Sequence, residues 1–573
     1  MKKLLMTFLV AGVLSGTVVQ AQSLQDGVND IYAERYKGAK ATFEKLLAAN
    51  PNNIDATYWL GQALIGAEDI AGARNVYSKA LMASANAPLL IVGMGQVELL
   101  ENKPNEARQR FEAAITMTRG KKGDDPAILN AVGRAIVNTY NDKEKKGDIN
   151  YAVEKLEAAV ARDDKNAEIF LNMGNAYREA RPGEGGGKAF ENYNKAIAVN
   201  PNFAPPYYRL AKLFESQKNW ELFEKYLNDA LAKDARYAPA YYDLYYYKLG
   251  RLDFTAAKDM AAKYIANSDP DPQAEHFIAQ TLWAEKKYDE AINLSKSIMS
   301  KSGDQTKARS YILLADAHLA KADTLGAKQY IDQYFTKAKP DEISAVHYRI
   351  RADIYSAVPG QEDVVFNSYL EGVKADTILE NRIDLVKKGA AFFKARKQYD
   401  KESQLQQMLL DLKPNPTLTD MFGAGLSYYF AGNYVKSRDI FVQVKAKFPA
   451  EVYGYEWVFN NSRAVDTVKK DSIAVPDALS LIEFAQKDSV KFKKQLMNAA
   501  GFLVNYYAND AKDAVKALEY VNRMIALDPT NESLKPIKDQ LEKSRTKPTN
   551  PRGAPQPKQG ASGKVAVKQK NTV

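Results

Sequence analysis

Small residues and aromatic rings recur along the first part of the chain at a step of 34 residues, with polar residues between them. The recurring glycines are Gly27, Gly61 and Gly95, the alanines are Ala39, Ala73 and Ala107, and the rings are Phe43, Tyr77 and Phe111. A step of 34 is typical of a helix–turn–helix unit. Its small residues let two antiparallel helices approach to about 8–10 Å while one large ring fills the gap. The pattern therefore predicts a series of helical hairpins.

The same spacing continues through most of the chain. Gly174, Tyr193 and Pro201 belong to a unit with three extra residues in its turn, and Ala257, Ala291 and Ala327 follow at steps of 34 and 36. Tyr399 with Pro414 and Tyr434 with Pro449 both preserve the 15-residue gap between positions 17 and 32. We predict about fourteen hairpins over residues 22–543, with an irregular course around 353–375 and 453–490. Each hairpin would bury its apolar face against its neighbours, so the array forms one continuous core.

These positions resemble the pattern of the tetratricopeptide repeat family, which has a small residue at position 8, alanines at 20 and 27, an aromatic at 24 and proline at 32. The resemblance implies an all-α, right-handed superhelical solenoid. It also implies a non-enzymatic scaffold that binds a partner peptide or protein in its concave groove.

The two ends of the chain differ from the repeats. Met1-Lys2-Lys3, the apolar run Leu4–Val19 and the small residues before Gln22 are typical of a signal peptide, predicted at 1–21. An uncleaved membrane anchor is the alternative, although the run is short for a span. We therefore expect export to the periplasm or outer-membrane periphery of a Gram-negative-type bacterium, with other envelope proteins as partners and no membrane span after signal cleavage.

The formal charge of +10 comes mostly from outside the predicted repeats. Seven basic and no acidic residues lie in 544–573, a segment rich in Pro, Gly, Lys and Gln that we predict to be disordered. With Lys2 and Lys3 also set aside, residues 22–543 keep a formal charge of only +1. The predicted repeats therefore lack the basic excess that phosphate binding requires, and we do not expect nucleic acid as a partner. The tail could instead contact anionic lipid or cell-wall polymer.

Motifs for catalysis are missing from the sequence. There is no cysteine, and the three histidines, His276, His318 and His347, stand in no metal-binding motif. The glycines of 183–187 lack the spacing and the Ser or Thr of a phosphate-binding loop. No G-x-S-x-G motif occurs. We predict neither enzymatic activity nor a metal or cofactor.

The resemblance places positions 2, 5, 6, 9 and 12 of each first helix in the groove. Cationic and amide side chains at such positions are Arg134, Asn172, Asn175, Arg209 and Lys212. Asn172 and Arg209 match the family's pattern for clamping a peptide carboxylate, whereas Asn130, Arg134 and Pro205 depart from it. We predict a site for an acidic or C-terminal peptide, with a merely solvated polar face as the alternative.

Tyrosines form a second candidate surface beside this one. Tyr242 and Tyr246 fall at groove positions 5 and 9, and with Tyr208 they could stack on an extended peptide or a sugar ring. Ordinary packing is the alternative reading. If these rings bind sugar, the chain would be an outer-surface glycan-binding protein with a helical-repeat core, which is the alternative function.

Every Asp followed by Ser or Thr in this chain is next followed by an aliphatic residue. The five triplets lie at 323–325, 376–378, 466–468, 471–473 and 488–490. They resemble the Asp-Ser/Thr-aliphatic acceptor of an O-glycosylation system of some Gram-negative bacteria. Chance is the alternative explanation for so short a motif.

Overall fold

The computed structural model describes residues 24–84, 86–141, 144, 146–180, 185–466 and 472–545. Within them the chain forms 29 α-helices and no strand. The predictions of an all-α fold and of about fourteen helical hairpins are confirmed. The helices fall into two compact units, Met1–Asp323 (unit 1) and Thr324–Val573 (unit 2).

Unit 1 contains seventeen helices among its described residues. They are α1 (24–32), α2 (Tyr36–Ala49), α3 (Ile54–Gly66), α4 (Ile70–Ala83), α5 (Pro88–Leu100), α6 (Pro104–Thr118), α7 (Pro126–Val137), α8 (Ile149–Val160), α9 (Ala167–Ala180), α10 (Gly185–Val199), α11 (Ala204–Ser216), α12 (Trp220–Lys233), α13 (Ala238–Gly250), α14 (Phe254–Asn267), α15 (His276–Ala284), α16 (Tyr288–Ser302) and α17 (Ala308–Ala320).

Unit 2 contains twelve helices among its described residues. They are α18 (Thr324–Lys337), α19 (Ala345–Ser356), α20 (Glu362–Ala375), α21 (Leu379–Ala395), α22 (Tyr399–Leu412), α23 (Leu418–Phe430), α24 (Tyr434–Lys447), α25 (Val452–Val465), α26 (Ala474–Ala485), α27 (Lys493–Asn505), α28 (Ala514–Leu527) and α29 (Leu534–Arg545).

Helices pack as the repeat spacing predicts. In unit 1 the two helices of a hairpin contact each other, as α3 does α4 and α5 does α6, and successive first helices also pack together, as α3, α5, α7 and α9 do. A Cβ built on Gly61 would lie 2.1 Å from Cζ of the buried Tyr77, and one on Gly425 would lie 2.5 Å from Cε2 of the buried Phe441. Glycine is required there because the ring of the second helix occupies the space of any side chain.

The turn within a hairpin also repeats. At nine places a residue other than glycine adopts a positive φ, between 56° and 64°. These residues are Glu34, Glu68, Asn102, Lys218, Leu252, Lys286, Ala322, Lys397 and Lys512. The next residue often caps the second helix, since the side chains of Asp69, Asn219 and Asp253 each accept a hydrogen bond from a backbone N–H of that helix. Such a cap contributes about 1 kcal/mol and fixes where the second helix begins.

Helices also occupy the two stretches predicted to be irregular. α19 and α20 cover most of 353–375, and α25 and α26 flank residues 466–473, of which 467–471 lie outside the described part. The predicted signal peptide, 1–21, and all but the first two residues of the predicted tail, 544–573, also lie outside the described residues. Within the described part no helix has both the length and the apolar character needed to cross a membrane.

Candidate functional site

A cavity of about 520 Å³ lies among the first helices of unit 1. Side chains of α3, α5, α7, α9 and α11 line it, together with the turn between α1 and α2. Five of the eight predicted groove residues are brought together on its wall: Arg134, Asn172, Asn175, Tyr208 and Arg209. The other three, Lys212, Tyr242 and Tyr246, are not among its lining residues.

Amide side chains cover much of the cavity wall. Gln62 donates to the side-chain oxygen of Gln96 at 2.8 Å, from the equivalent position one repeat earlier. Asn172 is buried and donates to Asn130 Oδ1 at 2.8 Å, and Asn175 Oδ1 accepts from the Tyr193 hydroxyl at 2.9 Å. These contacts fix the orientation of the amides, so the wall offers donors and acceptors at set places.

Arg134 is part of a buried ionic network. Its guanidinium pairs with Glu168, donates to the Tyr58 hydroxyl at 2.8 Å and lies 4.3 Å from the Trp59 ring centre. Glu168 also accepts from the Tyr32 hydroxyl at 2.8 Å. Burial raises the pKa of Tyr32 to about 12, with Arg134 opposing, so this hydroxyl stays protonated and donates. The charge of Arg134 is therefore already balanced within the chain.

Two other arginines on the wall are differently placed. Arg178 and Arg209 are half-buried, and within the described residues neither forms an ion pair with a carboxylate. Arg209 lies 5.9 Å from the Tyr208 ring centre, and both arginines lower the pKa of Tyr193, which burial raises to about 12. Guanidinium groups of this kind can form paired hydrogen bonds with a carboxylate.

The turn between α1 and α2 closes one side of the cavity. Ala33 is fully buried in one apolar cluster with Ala204 and Phe223 of later repeats. The backbone N–H groups of Lys37 and Gly38 donate to the carboxylate of Asp269 at 2.7 and 3.1 Å, which caps the start of α2 from a loop 232 residues further along the chain. The first hairpin is thus held against repeats at the other end of unit 1.

Acidic groups also reach the cavity. Glu34, in the left-handed conformation at the tip of the α1–α2 turn, lines it together with Glu179. Desolvation raises the pKa of Glu34, Arg209 lowers it and Asp243 adds to the rise. The cavity therefore already contains a carboxylate of the chain itself, Glu34, whose pKa is lowered by Arg209.

The remaining predicted residues have other surroundings. Lys212 forms ion pairs with Glu215 at 2.5 Å and Asp243 at 3.1 Å. Tyr242 and Tyr246 are 38% and 39% exposed, with ring centres 4.9 Å apart and planes inclined by 64°. Both rings also touch Phe277. They form a small aromatic surface on α13 that is separate from the cavity.

Sequence reasoning missed several lining residues. Trp59, Gln62 and Gln96 stand at groove positions 6 and 9 of the second and third repeats, so the same position rule could have found them. Tyr32, Glu34 and Tyr36 could not be found this way, because the α1–α2 turn and the helix ends beside it reach the cavity only through long-range contacts.

In the described part of the chain no group of three or more His, Asp or Glu side chains could hold a metal ion. His276 is buried, and that burial, with help from Arg309 and Lys307, lowers its pKa to about 3. It is therefore a neutral packing residue at ordinary pH.

Stacked helical hairpins around a polar cavity define a helical-repeat protein. Residues 31–90 match the model of a tetratricopeptide repeat family, and the 34-residue spacing and hairpin geometry of that segment continue beyond it. The sequence resemblance to the tetratricopeptide repeat family is thus confirmed.

Solved structures similar to this chain include other helical-repeat proteins. The C-terminal part of a tetratricopeptide repeat-containing protein from Cytophaga hutchinsonii is 25% identical, with 46% of this chain and 99% of that one covered and a TM-score of 0.27. A tetratricopeptide repeat protein from Parabacteroides merdae is 17% identical over 52% and 96% of the two chains, with a TM-score of 0.28. Yeast Tom70 is 12% identical over 75% and 97%, with a TM-score of 0.39.

Proposed function

We propose that this chain is an exported scaffold of the cell envelope that holds an acidic or C-terminal peptide of a partner protein in the cavity of unit 1. Tetratricopeptide repeat proteins are generally scaffolds for protein interaction and typically non-enzymatic. The peptide chemistry, the envelope location and the partner are the parts that we propose.

The observation that carries the proposal is the position of Arg178 and Arg209 on the cavity wall without an ion-pair partner in the described residues. The amide of Asn175, three residues before Arg178 on α9, also lines the cavity. A partner carboxylate there would gain charge-assisted hydrogen bonds in a partly desolvated place, where they are stronger than in water. A cavity of about 520 Å³ has room for a few side chains of a peptide.

Binding can be tested with peptides before any partner is known. Two fluorescent pools of octapeptides would be compared by anisotropy, one rich in Asp and Glu with free carboxyl termini and the other with Asn and Gln instead and amidated termini. We expect the acidic pool to bind more tightly, and the Arg178→Ala/Arg209→Ala double variant to lose at least tenfold of that affinity.

Arg251→Ala is the matched control, because Arg251 is an exposed arginine of the same unit that does not line the cavity. Equal binding of both pools, or full binding by the double variant, would refute the carboxylate site. Cross-linking in envelope extracts with the same variants then identifies the partner, which should be captured by the native chain and by Arg251→Ala but not by the double variant.

The envelope location is supported by the N-terminal sequence pattern and by the lack of cysteine. Cell fractionation with sequencing of the mature N-terminus tests it: cleavage after Ala21 and recovery from the envelope are expected. Removing residues 544–573 tests whether the basic tail adds contact with anionic lipid or cell-wall polymer, since envelope association should then weaken and become less sensitive to salt.

Glycan binding is the second candidate, favoured by the partial exposure of the Tyr242 and Tyr246 rings. Aromatic faces that remain accessible can stack on sugar rings. Calorimetry with envelope oligosaccharides would support it if heat of binding disappeared in the Tyr242→Ala/Tyr246→Ala variant and persisted in Arg178→Ala/Arg209→Ala. The reverse pattern favours the peptide cavity.

A further inference from the structure

Two of the five Asp-Ser/Thr-aliphatic triplets lie in turns between helices of unit 2. Residues 376–378 connect α20 to α21, and residues 488–490 lie between α26 and α27. The hydroxyl-bearing residues of both, Thr377 and Ser489, are exposed. A modifying enzyme could therefore reach them without unfolding a helix.

The aliphatic residues of these two triplets point to a use outside the fold. Val490 is 88% exposed and Ile378 is 54% exposed, so neither side chain contributes much to the core. Single exposed aliphatic residues are common on proteins. Here, however, an aliphatic residue follows every Asp-Ser and Asp-Thr pair of the chain, although hydrophobic residues make up only 46% of it. Packing does not explain that coincidence at these two turns.

The aspartates of the two triplets hold the turns in shape. Asp376 Oδ1 accepts a hydrogen bond from the backbone N–H of Ile378 at 2.8 Å, and Asp488 Oδ1 accepts one from that of Lys491 at 3.0 Å. Within the described residues the hydroxyls of Thr377 and Ser489 make no hydrogen bond of their own. Each turn thus presents a fixed carboxylate, an unengaged hydroxyl and an exposed aliphatic side chain in sequence.

The other triplets are presented differently. Ser472 is buried and its hydroxyl donates to the carboxylate of Asp466. Thr324 is half-buried as the first residue of α18, and Asp323 is bound to the His318 ring at 2.7 Å. Thr467 lies outside the described residues. The same sequence pattern is therefore accessible at some sites and enclosed at Ser472.

We propose that Thr377 and Ser489 are O-glycosylation acceptors. In the reaction the hydroxyl oxygen forms a bond to the anomeric carbon of a glycosyl diphosphate donor. The bond from that carbon to the diphosphate breaks, and the hydroxyl proton passes to a base of the glycosyltransferase. The proposal rests on the export part of the proposed function and is independent of the peptide cavity.

The test is mass spectrometry of the full chain from a Gram-negative host that has the glycosylation system using this acceptor sequence. Peptides containing Thr377 and Ser489 are fragmented by electron transfer, which keeps the glycan on its residue. One glycan mass is expected on each peptide, lost at the respective site in Thr377→Ala and Ser489→Ala and kept in Thr377→Ser. Val490→Lys should remove the glycan of Ser489 without affecting the fold, because Val490 is exposed.

Two controls separate the possible failures. A second version of the chain carries a signal peptide of known efficiency, so that export is assured even if the native N-terminus does not direct it. Unmodified Thr377 and Ser489 in that exported chain overturn the proposal, and so does a glycan found on Ser472 instead. If Thr377 and Ser489 are modified only in this second version, the acceptor sites are supported and export by the native N-terminus is refuted.

Discussion

The first helices of the two units use the same repeat scaffold for different surfaces. In unit 1, groove positions on α3, α5 and α9 hold Gln62, Gln96 and Asn175, and the helices leave a polar cavity between them. In unit 2, Phe422 and Tyr429 occupy groove positions 5 and 12 of α23, and Tyr429 packs on Trp457 of α25 with ring centres 5.0 Å apart. In unit 2 the groove positions of α23 are therefore occupied by rings that pack on Trp457.

The packing positions do not differ in this way. Gly61 faces Tyr77 in unit 1 as Gly425 faces Phe441 in unit 2. The scaffold therefore depends on positions 8, 20 and 24, whereas the chemistry of the surface depends on positions 5, 6, 9 and 12. Variants of the two groups should affect different properties.

The largest effect is expected from removing the ring at position 24. Tyr77→Ala and Phe441→Ala should each cost about 3–5 kcal/mol, since both rings are fully buried and a cavity would remain. Hydrogen exchange read by mass spectrometry should show faster exchange in α3–α4 for the first and in α23–α24 for the second. Gly250→Ala is the control, because its new Cβ would meet nothing within 4 Å. Equal exchange in both variants and the native chain would contradict the assigned packing.

The buried ionic network of unit 1 should be the next most sensitive. Arg134→Met leaves Glu168 without its cationic partner and should cost about 3 kcal/mol. In unit 2, Arg438 pairs with Asp477 at 2.8 Å but a third of its side chain is exposed, so Arg438→Met should cost only about 1 kcal/mol. Urea denaturation of both variants measures the difference. A loss no larger for Arg134 than for Arg438 would show that burial adds nothing to its pairing.

Acid should destabilise unit 1 through a histidine. The pKa of His276 is lowered to about 3 in the fold, so the unfolded chain takes up a proton below pH 6.5 that the folded chain does not. Above pH 6.5 this histidine does not reduce the free energy of unfolding. As the pH drops from 6.5 towards 3, it lowers the free energy of unfolding by about 1.4 kcal/mol per pH unit. In unit 2 the pKa of the half-buried His347 is also lowered, because burial disfavours its charged form.

Stability curves from pH 7 to 4 for the native chain, His276→Gln and His347→Gln check this. The His276→Gln variant should lose most of the additional slope, and His347→Gln should lose less. An unchanged slope in His276→Gln would mean that another group controls acid sensitivity.

The sequence predicted the repeat well because its evidence is local. The fixed step between glycine, alanine and a ring indicates which side chains touch within and between neighbouring hairpins. The close approach of Tyr77 to Gly61 is one such contact. Position rules also brought Arg134, Asn172 and Arg209 to one cavity. Each of these inferences needs information from no more than two or three successive repeats.

Closure of the cavity could not be predicted in the same way. The contact between Lys37 and Asp269 spans 232 residues and depends on small rotations accumulated over many repeats. Periodicity does not contain those rotations. Tyr242 and Tyr246 lie on α13 but do not line the cavity that Tyr208 lines.

The turn residues should give a smaller effect of the same sign in both units. Leu252 in unit 1 and Lys397 in unit 2 hold φ values of 62° and 56°, a conformation that costs non-glycine residues about 1 kcal/mol or more. Leu252→Gly and Lys397→Gly should each stabilise the chain by up to about 1 kcal/mol, reduced by the greater freedom of glycine in the unfolded chain. Thermal denaturation measures both, with Leu252→Ala expected to change little. A loss of stability in both glycine variants would show that these side chains contribute contacts outweighing the backbone strain.

The smallest effect is expected from the carboxylate of Glu34 inside the unit 1 cavity. Glu34 lines the cavity near Arg209, so its carboxylate repels an acidic peptide and competes for the same cation. Glu34→Gln should strengthen binding of the acidic peptide pool about two- to fivefold. Glu68→Gln is the matched control, because Glu68 has the same left-handed turn position one repeat later and does not line the cavity.

Since the pKa of Glu34 is raised, lowering the pH towards that pKa should reduce the difference between Glu34→Gln and the native chain. Anisotropy titrations at two pH values measure this difference. Equal affinities of Glu34→Gln and Glu68→Gln would show that Glu34, and with it the α1–α2 turn, does not influence what the cavity binds.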